Sequence, residues 1–250
     1  MASSRRIGSP DAKNRTVLLD AAERLMLEEG YAAVSSRRVA EKAGLKPQLV
    51  HYYFRTMDEL FLEMFRRRAE IGLRRQAEAL AGPKPLWALW EYSTDSAGTA
   101  LTMEFSALAN HRKELRAEIA RYAERFRREQ VAGLSEVLRR YGVDTKEFPP
   151  LVLMVVMTSL SRVLVMEEQL GLYEGHEESV EFVHRWLRRL EGDPPPGFGR
   201  RSLGVLSGAG AEGGTGSGAE DARGVAGGGD PEGVRGVEGE RDAEVERQPV

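Results

Sequence analysis

Between Ser36 and Phe54 the chain reads "SRRVAEKAGLKPQLVHYYF", and few folds satisfy everything this run asks for. Val39, Ala43, Leu45, Val50 and Tyr53 fall at offsets of 3, 7, 9, 14 and 17 from Ser36. Two short helices can turn those positions inward only if a small residue sits where they cross, and Ala40 supplies it. The connection between such helices is three or four residues long and favours glycine, and Gly44 stands there. Ser35 and Ser36 offer N-caps for the first helix. Pro47 occupies a first-turn position, where the amide it lacks has no partner anyway. The run therefore predicts helices over about 37–43 and 47–53 joined by a tight turn. In a plain helical hairpin the outer face of the second helix would be ordinary charged surface. Here it carries Lys46, Pro47, Gln48, Leu49, His51 and Tyr52.

The rest of the chain is helical in pattern as far as residue 191. Leu18, Ala21, Ala22 and Leu25 mark one face of a helix over 13–29, stopped by Gly30. Thr56 and Glu59 have capping-box spacing and open a long fourth helix that ends at Gly82, Pro83 and Pro85. Residues 86–191 divide at "STDSAG", "ANHRK", "YGVDTKEFPP" and "LGLYEGHEE". Within them, 112–140 alternates in charge, 149–169 is apolar nearly all round, and 177–190 carries Val183, Trp186, Leu187 and Leu190 on one stripe. No strand alternation and no internal repeat is present, so the fold class is all-α.

Composition narrows the possibilities. The absence of cysteine excludes disulfides, thiolate chemistry and cysteine metal clusters. The run "LVLMVVMTSLSRVLVM" (151–166) is about two residues short of the ~18 that a spanning helix needs, and it contains Arg162. It reads as a buried helix, with no membrane partner expected. The N-terminus "MASSRRIGSP" has no apolar run behind its arginines, so no signal peptide is expected and the localisation reads as cytoplasmic. Residues 192–250 hold six arginines and eleven acids, a charge of −5, which leaves +2 on the remainder of a chain of net charge −3. That segment has too little apolar mass to offset ordering entropy and reads as a disordered Gly-rich acidic tail. Residues 1–11 read as a flexible arm. For enzymatic chemistry the only candidate sets are His111 with Glu114 and His176 with His184. Each lacks a full ligand set and is expected on solvated surface. No cofactor or metal is expected.

On these residues the chain resembles the TetR (tetracycline-repressor-like) family of bacterial transcription regulators. The matching run is "LLDAAERLMLEEGYAAVSSRRVAEKAGLKPQLVHYYFRTMDELF". It has a first helix ending in Gly30-Tyr31, the core of Val39, Ala40, Ala43 and Gly44, the aromatic end Tyr53-Phe54, and Asp58-Glu59-Leu60. The resemblance implies an N-terminal three-helix helix-turn-helix DNA-binding domain (12–57) and a C-terminal helical effector-binding and dimerisation domain (58–191). It implies a homodimer on a near-palindromic operator of double-stranded DNA, with half-sites ~34–36 Å apart. A small hydrophobic effector would relieve repression. Carried over by position, Ser36, Arg37, Lys46, Pro47, Gln48, Leu49, His51 and Tyr52 meet the DNA, with Tyr53 near a phosphate.

Chemistry assigns roles within that set. Arg37 can pair with guanine, Gln48 with adenine, and Leu49 can touch only a thymine methyl. Ser36, Lys46, His51 and the tyrosine hydroxyls suit the sugar-phosphate backbone. The sequence departs from the family pattern at Leu49, His51 and Met57, where threonine or serine, tyrosine and lysine are usual. Met57 offers a phosphate no positive charge, and a protonated His51 would supply one in its place. By the same resemblance the last two helices, 149–170 and 177–190, form the dimer interface. Candidates for the effector pocket are Trp87, Trp90, Met103, Phe105, Tyr122, Phe126, Met154 and Met157, large and adaptable side chains of the kind that line ligand cavities. Two other readings stay open: a ligand-independent or activating DNA-binding regulator, and an all-helical scaffold that keeps the motif only as structure.

Overall fold

Helix boundaries follow the residues able to close them. The computed structural model describes residues 13–199; the expected arm at 1–11 and the tail from 200 onward lie outside the described residues. Within them run α1 (Lys13–Glu29), a single 3-10 turn (Tyr31–Ala33), α2 (Ser36–Ala43), α3 (Pro47–Tyr53) and α4 (Met57–Ala81). They are followed by α5 (Pro85–Ser93), α6 (Ser96–Ala109), α7 (Lys113–Arg140), α8 (Pro150–Gln169) and α9 (His176–Glu191). No strand occurs among the described residues.

The caps explain these limits. The Ser35 hydroxyl accepts the Arg38 amide at 3.4 Å and starts α2. Gly44, with φ +65°, ends α2 in the left-handed conformation that glycine alone adopts freely. The Leu45 amide then closes back on the Ala40 carbonyl at 2.9 Å. Thr56 caps α4 through the Glu59 amide at 3.1 Å. The Glu59 carboxylate completes the box one residue further back than usual, accepting from the Arg55 amide at 2.8 Å. Asp95 caps α6 through the Gly98 amide.

Among the described residues two large apolar cores form around these helices, with a small cluster of Ala69, Leu73 and Tyr122 beside them. The first gathers Leu18, Leu25 and Met26 of α1, Val39 and Ala40 of α2, Val50 of α3, Phe54, and Leu60 and Met64 of α4. It also takes Leu101, Phe105 and Leu108 of α6 and Leu115 of α7. The expected boundary at 57/58 therefore falls in the first turn of the continuous α4, and helices of the second region seal the first. Ion pairs reinforce the join. Arg67 of α4 reaches Asp20 and Glu23 of α1 at 2.6 and 3.0 Å, and Arg15 reaches Glu63 at 2.5 Å.

The second core holds Trp87 and Trp90 of α5, Leu134 and Leu138 of α7, Leu164 and Val165 of α8, and Val183 and Leu187 of α9. Glu191 ties it off. Its carboxylate accepts from the backbone amides of Leu86 and Trp87 at 2.9 and 3.1 Å and from the Tyr141 hydroxyl at 2.7 Å. Gly192 and Phe198, which fall within the expected tail, lie against this core. The Trp87 indole donates to the Gly192 carbonyl at 3.0 Å, and Phe198 stands edge-on to Trp87 with centroids 4.9 Å apart. One aromatic in a Pro/Gly-rich stretch is enough to keep the chain on the core through Phe198.

At 20 residues, α8 is long and apolar enough, by length and composition, to cross a membrane. The 16-residue apolar run understates it, because the helix extends past the run at both ends. Met154, Met157, Ser161, Leu164 and Val165 form its buried stripe. Leu151, Val152, Val155, Val156, Val163 and Met166 stay exposed on the same helix.

Candidate functional site

The first candidate site is the outer surface of α2 and α3. Val50 and Phe54, each 1 % exposed, anchor α3 from beneath. A seven-residue helix has too few internal hydrogen bonds to hold itself, so this anchoring sets its direction. With Val50 inward, Lys46, Pro47, Gln48, His51 and Tyr52 are exposed and Leu49 and Tyr53 are half-buried. Tyr52 and Tyr53 meet edge to face with centroids 5.0 Å apart. On α2, Arg37 is exposed and Ser36 half-buried.

The neighbouring cations are engaged elsewhere. Arg38 grips both oxygens of Glu29 at 2.6 Å, and Lys42 pairs with Glu28. The Arg38 hydrogen bond holds the Glu29 carboxyl below its usual range. Arg38 and Lys42 thus lock α2 to the end of α1, while Arg37 and Lys46 make no ion pair among the described residues. Met57, where a lysine is usual in the family, packs partly buried against the first core. All nine residues picked out from the sequence lie on or beside one surface, three of them partly sunk into it.

The second candidate site is a cavity of about 500 Å³ bounded by α4, α5, α6, α7 and α8. Of the eight pocket candidates, Phe105, Tyr122, Phe126 and Met154 line it. Trp87 and Trp90 do not: both are fully buried in the second core, where Trp87 holds the end of α9. Met157 is buried in that core too, and Met103 lies half-exposed on α6 away from the lining.

The sequence reading missed the polar half of the wall, formed by Arg68, Arg75, Gln76, Tyr92, Asp95, Arg127 and Arg162. A signal for it exists. Arg68, Arg75 and Gln76 share one face of α4 with Phe65 and Ala69, and Arg162 interrupts an apolar helix. Burial raises the Tyr92 phenol above its usual range, against the opposing charges of Arg68, Arg75 and Arg162, so it remains a neutral donor.

The histidine candidates are placed differently from one another. His111 and Glu114 are exposed. His176, expected on the surface, is 2 % exposed and meets Glu167 at 2.9 Å. His184 is half-buried beside the Trp87 ring, with its pKa lowered by burial and then by Arg188. No cluster of three metal-ligating side chains occurs among the described residues.

Among the described residues, an exposed polar-aromatic face on a helix-turn-helix is backed by a helical body with a cavity. Residues 18–64 match the family model of bacterial regulatory proteins, tetR family. The HTH-type transcriptional regulator PksA of Bacillus subtilis (strain 168) is 30% identical over 115 residues, covering 41% of this chain and 55% of that protein. This chain thus spans about half the length of that curated relative.

Among solved structures, a protein from Saccharomonospora viridis in complex with choline is similar over 70% of this chain and 93% of its own, with TM-score 0.58 and 19% identity. The regulator FadR from Bacillus subtilis in complex with stearoyl-CoA is similar over 71% of this chain and 98% of its own, with TM-score 0.51 and 17% identity. These two likenesses show the fold. Residues 18–64 thus carry the N-terminal domain of bacterial regulatory proteins of the tetR family, on a fold similar to that of solved transcriptional regulators.

Proposed function

We propose that this protein is a sequence-specific repressor that binds a near-palindromic operator as a homodimer and is released by a small molecule held in the α4–α8 cavity. The observation that carries this reading is the double duty of α4. Its capped start follows directly on the reading helix, and its next turns form the cavity wall. Arg68 lines the cavity and lies 3.6 Å from Glu23 of α1, which Arg67 also holds. A ligand that draws Arg68 inward loosens one of the interactions that fix α1, and with it the seat of α3. Coupling of this kind is typically ~1–3 kcal/mol.

The exposed apolar face of α8, together with Phe182 of α9 at 66 % exposure, supports dimerisation through the last two helices. Patches of this kind mark interaction surfaces on soluble proteins. The neighbours in complex with choline and with stearoyl-CoA hold unlike ligands on one fold, so the cavity residues of this chain decide what it binds.

Selection of duplexes from a random pool with the full chain tests the reading, with the stoichiometry of the selected complex measured by light scattering. The expected result is an inverted repeat with half-sites ~34–36 Å apart and two protomers per duplex. An unenriched pool, or a single half-site bound by one protomer, contradicts it.

A further inference from the structure

We propose that the cavity takes an amphiphile with an anionic head, a carboxylate or a phosphate, and that Arg68 and Arg162 receive that head. This rests on the cavity being the effector site.

Charge is the first observation. Four arginines line the space, against Asp95 as the one acid in the lining. Asp95 is already committed: it caps α6 and pairs with Arg75 at 3.2 Å. Arg68 has only the long 3.6 Å contact to Glu23, and Arg127 and Arg162 make no ion pair among the described residues. Arg68, Arg75 and Arg162 line the same cavity as Tyr92. Arg68 is half-buried and Arg162 exposed, so a head group at the cavity's edge can reach both, and a neutral or cationic head would cover them with no counter-charge.

The second observation is independent of charge. Gln76 is 1 % exposed and lines the cavity. Its Nε2 donates to the Phe126 carbonyl at 3.3 Å, which fixes the amide orientation, and its Oε1 has no hydrogen-bond partner. A buried acceptor left unmade costs free energy, so the ligand or a water it orders brings a donor to this point.

Shape supplies the third. Gly72 lies on α4 between Arg68 and Gln76. A Cβ there would stand 2.8 Å from the Phe126 ring and 2.9 Å from the Tyr92 hydroxyl. The glycine lets the aromatic wall and the polar wall close on the same stretch of helix. Phe65, Phe105, Phe126 and Met154 then offer an apolar lining for a hydrocarbon body, in a volume typical of small-molecule sites, ~300–1,000 Å³.

Calorimetric titration of the full chain with four probes below their micelle concentrations tests the inference: dodecanoate, dodecyl phosphate, dodecanol and dodecyltrimethylammonium. At least one anionic probe is expected to bind about tenfold or more tighter than the neutral and cationic ones, the worth of a charge-assisted hydrogen bond. Arg162→Gln and Arg68→Gln are each expected to erase most of that preference, with circular dichroism confirming helical content. Gly72→Ala is expected to weaken every probe that enters the cavity. If dodecanol or the ammonium probe binds as tightly as the anions and Gly72→Ala weakens it, the anionic head is overturned while the effector cavity stands. If no probe binds, or binding is indifferent to Gly72→Ala, the effector reading itself fails.

Discussion

The short helix α3 and the cavity wall are built on opposite plans. In α3 the apolar residues Val50 and Phe54 are fully committed beneath the helix, and the polar side chains stand outside it. Around the cavity the helices place a buried glutamine, a tyrosine and half-buried Arg68 and Arg75 beside aromatic rings, with Arg127 and Arg162 exposed at its edge. The first arrangement is complete as it stands and needs only a surface of matching shape. The second holds an unpaired buried acceptor and four lining arginines, which the proposed ligand would partner. A rigid display suits the reading of base edges, and an incomplete pocket suits a response to a small molecule.

The largest difference between the two regions should appear on truncating their cores. Phe54→Ala is expected to cost about 3–5 kcal/mol, a large part of the ~5–15 kcal/mol of a whole domain. Urea unfolding measures the cost, and operator binding should vanish with it because α3 loses its seat. Leu164→Ala in the second core is expected to cost about 2–5 kcal/mol yet to leave base preference intact. Equal loss of base preference in both variants would mean the reading surface depends on the whole body.

Next in size is the join. Glu23→Gln keeps the shape of the side chain that holds Arg67 and Arg68. It is expected to remove about 1 kcal/mol or more of the effect of bound dodecanoate on operator affinity, read by fluorescence anisotropy. An unchanged effect would move the coupling to another interaction, such as the 2.6 Å hydrogen bond from the Tyr31 amide to Glu104 of α6.

The smallest effect concerns acid. The Arg121 hydrogen bond, with that of Arg66, holds the Glu118 carboxyl down to about 2, from an ordinary 4.5. A depressed folded pKa contributes stability above the unfolded value and loses it as pH falls through the folded one. The Glu118 contribution should therefore be full above about pH 4.5 and fade toward pH 2. Urea midpoints across that range should fall less steeply in Glu118→Gln than in the wild type.

Much of the helical order was legible because it is set locally. Ser35, Gly44, Thr56 and Pro150 each stop or start a helix through their own backbone preferences, and α1, α3 and α8 begin and end within a residue or so of the pattern. The outer face of α3 was legible for a related reason: on so short a helix, burying Val50 decides what every neighbour faces. The cavity was not. Trp87 and Phe126 are alike in sequence, and only the packing of five helices sends one to the core and the other to the wall. Arg68, Arg75 and Arg162 look like solvated charge, and Arg162 does stay exposed; only the packing of the helices brings the three to one cavity. Phe198 was hidden by the composition around it.

The assignment of α2 and α3 as the part that reads DNA is tested by one comparison. Wild type and the Arg37→Ala, Gln48→Ala double variant are titrated at one fixed salt concentration against a selected operator and a scrambled duplex of the same length. The double variant should lose about 1–3 kcal/mol of discrimination for each base contact removed, with binding to the scrambled duplex changed far less. Discrimination that survives both substitutions would contradict the assignment.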